Sequence, residues 1–270
     1  MTALRWIVGL ALSLGVSLSA SLAGAQVLER AGGDVPISIE AENGIEWLRD
    51  QKTYLARGNA KVIRGNVTIM AETLAAFYRD KAEGGGTEIF RLEATGSVHI
   101  ISGSERTRSE RADYDLDKSV LVLSGGDLRF ESGADVITAR DSLEYWERRK
   151  IAIARGNALA VRADKRIAAE TLTARFDKNR AGEDEITQID ALGGVRIDTD
   201  QETATGNEGL YNLVEEVAEL RGNVLLSRGQ DRLSGERAIV NLRTGVSRML
   251  PKSGSKERVK GLFTPKAGTQ

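Results

Sequence analysis

A chain of 270 residues with one histidine and no cysteine has few routes to catalysis. His99 lies in the alternating run Val98-His99-Ile100 and reads as a solvated strand position. The residue 97 positions later is Arg196, so no second imidazole recurs with the pattern. Thiol and Ser-His nucleophiles lack their partners, and structural zinc lacks its donors. The glycines of "EGGGTE" at 83–88 carry no Lys and form a loop, not a phosphate cradle. Paired carboxylates could hydrolyse a glycoside. The densest groups, 183–185 and 215–216, read as solvated loop charges instead. No catalytic residue, metal or cofactor is expected, and the chain is not an enzyme on this reading.

The remaining polar residues of interest are repeated ones. The segment "ARGNA" occurs at 56–60 and 154–158, and "LRGNV" follows at 220–224. Gly58 and Gly156 are 98 residues apart, Gly96 and Gly193 are 97 apart, and so are Gly125 and Gly222. Three registers kept in the same order imply an internal duplication of about 97 residues. Fourteen residues after four of these glycines stands an acid: Glu72, Glu110, Glu170 and Glu236. After Gly193 the position holds Asn207, and after Gly125 the acid slips to Asp141, as a β-bulge at Gly125-Gly126 would cause. An acid repeated along the chain is a structural device, expected at strand starts or a sheet edge. The arginines Arg57, Arg155 and Arg221 could grip phosphates, but their parity, opposite to Val62 and Val224, places them on a wet outer face.

These positions need strands to hold them. Val98 and Ile100, Val195 and Ile197, and Tyr114 and Leu116 alternate with polar residues at a period of two. The run at 71–83 has helical propensity, but its repeat partners do not, so it is read as a strand. Proline is scarce, with three residues, and glycine abundant, with 29, which suits many paired strands joined by tight turns. A unit of about 30 residues with two or three strands must stack on its neighbours to bury a face. The expected fold is all-β: an elongated, twisted antiparallel β-jellyroll of about 16–20 short strands.

At the N-terminus, Arg5, the apolar run 6–22 and "AGA" at 23–25 resemble a secretory signal peptide, with a mature start at Gln26. The body is expected over 26–250 as two similar halves, 37–134 and 135–248. The stretch 251–270 is basic, rich in Gly, Ser and Pro, and expected to be disordered. A net charge of −1 gives no sign of nucleic-acid binding.

Pro36-Ile37-Ser38-Ile39-Glu40, Gly58-Asn59-Ala60-Lys61-Val62, Ala71-Glu72 and "ADYDLDKSVLVLSGG" at 112–126 resemble, in that order, the strands of the LptA/OstA-like family of periplasmic lipopolysaccharide-export bridge proteins. The resemblance spans about 35–245. It implies a jellyroll whose apolar interior groove shields the acyl chains of lipopolysaccharide during transport across the periplasm. It also implies edge-strand pairing with inner-membrane and outer-membrane export components, and allows a head-to-tail homo-oligomer. Carried onto this chain, the groove comprises Ile37, Ile39, Tyr114 and Leu116 by motif. The internal repeat adds Val98, Ile100, Val195, Ile197 and Tyr211, with Val62 and Val224 placed beside them. The alternatives are a membrane-anchored jellyroll component of the same export complex and a structural β-solenoid envelope protein.

Overall fold

The computed structural model describes residues 38–81, 85–180, 184–200, 202–241, 243–244, 246–254 and 258–264. The signal segment, Gln26, Pro36 and Ile37 therefore lie outside the described residues. Eighteen strands, all antiparallel in their pairing, and one 3₁₀ turn (Glu147–Arg149) account for the regular structure described. The chain divides into two compact units between Gly156 and Asn157. This point lies beyond the boundary expected near 134.

In the first unit, β1 (Ser38–Glu40) and β2 (Ile45–Leu48) both pair with one edge of β3 (Thr53–Arg64). The meander continues through β4 (Val67–Asp80), β5 (Thr87–Ser102) and β6 (Glu105–Asp115). Strand β6 then pairs with two short segments, β7 (Val120–Ser124) and β8 (Leu128–Ser132). Gly125-Gly126, both at positive φ, separate the two. β9 (Asp135–Ala139) returns along β8, and β10 (Ser142–Trp146) along β7. β11 (Ile151–Arg162) carries the division point.

The second unit runs through β12 (Lys165–Lys178), β13 (Asp184–Asp198), β14 (Thr203–Asn212), β15 (Val217–Arg228) and β16 (Asp231–Asn241) in one meander. Strands β3 and β11 each have 12 residues, and β4 and β12 each have 14. Both β17 (Val246–Leu250) and β18 (Lys260–Leu262) pair with β16. The stretch expected to be disordered thus contributes a strand. Gly261 allows the approach, with the Phe263 ring and a Leu233 methyl close over its Cα, and the Thr264 N–H donates to Asp231 Oδ1 over 2.8 Å.

The repeated Gly marks a bulge, and the residue after it shares the work. Gly58 and Asn59 have φ of 76° and 43°, Gly156 and Asn157 81° and 48°, and Gly222 and Asn223 73° and 52°. Two consecutive left-handed residues need Gly first, and Asn is among the few side chains that tolerate the second position. The register shifts at two of these pairs, between Arg57 and Ala60 on β3 and between Arg221 and Val224 on β15. The recurrent polar residue of the next strand faces the bulge. Glu72 opposes Gly58-Asn59 on one side and Gly96-Ser97 on the other. Asn207 stands likewise between Gly193-Gly194 and Gly222-Asn223. The recurrent acids therefore sit in mid-strand across from bulges, not at strand starts or a sheet edge.

Candidate functional site

In the first unit the meander curls its apolar face around a cavity of about 500 Å3. The lining runs along β4 from Arg64 and Val67 at one hairpin to Lys81 and Glu88 at the other, with aliphatic side chains between. Room is made by small inward residues. Ala76, Ala94 and Ala112 line the cavity and are all under 9% exposed. β-branched and aromatic side chains on the intervening strands supply the apolar wall, as half-buried strand positions favour.

One stretch of this wall carries an aromatic ladder. Tyr54 lines the cavity and stacks on Trp47 with ring centroids 5.7 Å apart, and on Tyr78 at 4.9 Å. Trp47 Nε1 donates to the Tyr78 hydroxyl over 2.8 Å, and the Arg49 guanidinium stands 4.4 Å above the indole. Trp47 is nonetheless 53% exposed. Sequence reading missed this cluster, because its members come from β2, β3 and β4 and share no spacing.

The second unit holds a separate apolar cavity of about 90 Å3. Tyr211 lines it, and burial, followed by the nearby Glu216 carboxylate, pushes its phenol above the ordinary tyrosine range. Glu219 also borders it, and its carboxylate is gripped by Arg237 and Arg221. The Arg237 hydrogen bond is the main cause that brings this acid down to about 2; burial opposes it, and the Arg221 hydrogen bond adds to it.

Of the expected groove residues, Ile39, Val62, Ile100, Tyr114 and Leu116 meet around the first cavity. Val195, Ile197 and Tyr211 meet around the second. Val98 and Val224 face inward but are 1% exposed, packed beside their bulges and absent from both linings. Each directly follows a Gly-Ser or Gly-Asn bulge. The repeated arginines point outward as parity required. Arg57 pairs with Glu46 at 3.3 Å and Arg155 with Glu144 at 2.7 Å, both half exposed. Burial tends to raise the Glu144 carboxyl, but hydrogen bonds from Arg155, Trp146 and Ser142 together bring it below its usual range. Among the described residues, no group of three or more His, Asp or Glu side chains could hold a metal ion.

The family described as LptA/(LptD N-terminal domain) LPS transport protein matches the chain twice, over residues 38–141 and 138–246. An uncharacterized protein of Rhizobium meliloti (strain 1021) is 29% identical over 132 residues, covering 46% of this chain and 70% of that protein. The crystal structure of LptH, the LptA homologous periplasmic component of the lipopolysaccharide transport device of Pseudomonas aeruginosa, aligns with a TM-score of 0.41 at 16% identity, over 48% of this chain and 95% of that one. With the family matching nearly all of the strand-bearing chain, this antiparallel β-jellyroll protein belongs to the LptA/LptD N-terminal domain family of lipopolysaccharide transport proteins.

Proposed function

We propose that the chain carries lipopolysaccharide across the periplasm without a chemical step, holding acyl chains in the cavity of its first unit while the saccharide faces water. The observation that carries this reading is the cavity of about 500 Å3 walled by Ile39, Val62, Ile100, Tyr114 and Leu116. Each methylene moved from water into such a wall gains about 0.8 kcal/mol, so acyl chains bind tightly with no cofactor. The second cavity, of about 90 Å3, has room for far less. On this reading the first unit holds the lipid.

Bridging between inner-membrane and outer-membrane export components uses the sheet edges. Among the described residues, β1 and β2 pair with β3, and β17 and β18 with β16. Each therefore leaves a row of backbone donors and acceptors for a partner strand, whether of another jellyroll or of a second copy placed head to tail.

The test is photo-crosslinking. A photoreactive residue at Ile39 or Tyr114 should capture lipopolysaccharide, and the same residue at Arg57, on the outer face, should not. Equal capture at all three positions, or none at Ile39 and Tyr114, would overturn the proposal.

A further inference from the structure

The outer face of the first unit carries a block of cations that neither the fold nor the cavity uses. In cross-strand register, Lys61, Met70, His99, Arg108 and Arg129 form one row over β3, β4, β5, β6 and β8. The adjacent outward row is Ile63, Thr68, Ile101, Arg106 and Glu131. Both rows are outward because the row between them contains Val62, Ile69 and Ile100, which line the cavity.

Arg108 and Arg129 stand directly opposite each other on paired strands, an arrangement that works against sheet stability. Arg129 bonds Glu131 at 2.5 Å. That hydrogen bond is the first cause that holds the Glu131 carboxyl below its usual range; burial opposes it, and Arg129, Arg108 and Arg106 add their fields. Arg106 and Arg108 are exposed and take part in no ion pair of their own among the described residues. Counting Lys61, Arg106, Arg108 and Arg129 against Glu131 and Glu40, which pairs with Lys61 at 3.9 Å, the block carries net positive charge. Half-buried Ile63, Ile101 and Met70 lie between the charges.

We infer that this basic outer face docks on an anionic lipid bilayer. Guanidinium groups spread over a sheet with aliphatic side chains between them match a plane of phosphates bordering hydrocarbon. A protein partner would call for a central aromatic anchor in a pocket, and none lies in these rows. The block is on the opposite side of the sheet from the acyl-chain cavity, so the two roles can be lost separately.

The test is co-sedimentation of the full chain with vesicles of phosphatidylcholine alone or mixed with phosphatidylglycerol. Each basic residue near an anionic surface contributes about fivefold in partitioning. The variant R106Q/R108Q should bind mixed vesicles about 25-fold more weakly than wild type, with unchanged circular dichroism. R57Q/R155Q, which removes as many charges elsewhere, should bind like wild type. Salt should release wild type from mixed vesicles. Wild-type binding to phosphatidylcholine equal to that on mixed vesicles, an undiminished R106Q/R108Q variant, or competition by inorganic phosphate at low concentration would overturn the inference. Crosslinking of lipopolysaccharide at Tyr114 reports on the cavity separately and should be the same in R106Q/R108Q and wild type.

Discussion

The Glu72 side chain lies over Gly96 on the neighbouring strand: a carbon built on Gly96 as a side chain would stand 2.5 Å from Glu72 Oε2. The same relation joins Asn43 to Gly58, Asp141 to Gly156, Glu170 to Gly193 and Asn207 to Gly222. Each of these bulges is roofed by a polar side chain, from the neighbouring strand for Glu72, Glu170 and Asn207 and from a connection between short strands for Asn43 and Asp141.

Gly96→Ala should therefore destabilise on two counts. Its φ of 82° is left-handed, which costs a side-chain-bearing residue about 1–2 kcal/mol, and the new methyl displaces Glu72. Removing the obstruction in Glu72→Ala should make the double variant less destabilised than the sum of the singles. Denaturant melts of the four proteins decide it; strict additivity would mean that Glu72 does not meet the new methyl.

The residues of Arg57-Gly58-Asn59 should respond differently to substitution. Arg57→Ala removes one exposed ion pair and should change stability by less than about 1 kcal/mol. Asn59→Gly should be tolerated at φ 43°, whereas Asn59→Val puts a β-branched side chain where it rarely sits and should cost about 1–3 kcal/mol. Thermal melts giving Arg57→Ala the largest loss would contradict the bulge as the reason for the motif.

Glu219 should make the fold acid-sensitive. Arg237, and then Arg221, hold its carboxyl at about 2, against 4.5 when unperturbed. A folded-state value below the unfolded one adds stability that is full above about 4.5 and is lost as pH falls through that value toward about 2. With both guanidinium groups about half exposed to water, the contribution is about 1–2 kcal/mol. Melting temperature measured from neutral pH down to about pH 2 should fall less steeply in Glu219→Gln than in wild type. Parallel curves would remove Glu219 from the account.

The cavity should be tunable by volume. Ala94→Leu projects into it beside Ala76 and Ala112 and should lower lipopolysaccharide capture several-fold, with a stability change within the 1–3 kcal/mol of an overpacked core. Of the three tryptophans in the chain, Trp47 stacks on the cavity-lining Tyr54. Lipid binding should therefore shift the emission of wild type and of Trp146→Phe, but not that of Trp47→Phe. A shift that survives Trp47→Phe would place the lipid away from this wall.

Much of this was legible in the linear order of residues. Alternation at Val195-Arg196-Ile197 and at Tyr114-Asp115-Leu116 marks which side chains face inward, because a strand has only two faces. The helix-prone run at 71–83 is read as a strand by its repeat partners and not by its own propensity, and residues 71–80 of it lie in β4. Less legible was the partner of each glycine. Glu72 is 14 residues from Gly58 and 24 from Gly96, and only the first interval recurs clearly in sequence, because the hairpin β3–β4 is tight while the 81–86 connection is longer. Val98 and Val224 show the same limit: both are buried, as inward parity implies, but neither reaches a cavity wall, whereas Val195 beside a like bulge does.

The order of residues along the chain already implies a series of antiparallel strands, places Arg57 and its repeats in water, and marks which apolar residues turn inward. These follow from two-residue alternation and from the backbone conformations that Gly and Asn alone adopt easily. Where the inward faces leave space is set by the fold. The apolar cavity of the first unit holds about 500 Å3 and that of the second about 90 Å3, although both are walled by similar residues. Cavity volume depends on how far a curled sheet stands from itself, and that distance is set by pairings between strands that no local pattern encodes. The same holds for the cations of the outer face, which come from β3, β6 and β8 and become neighbours only through register.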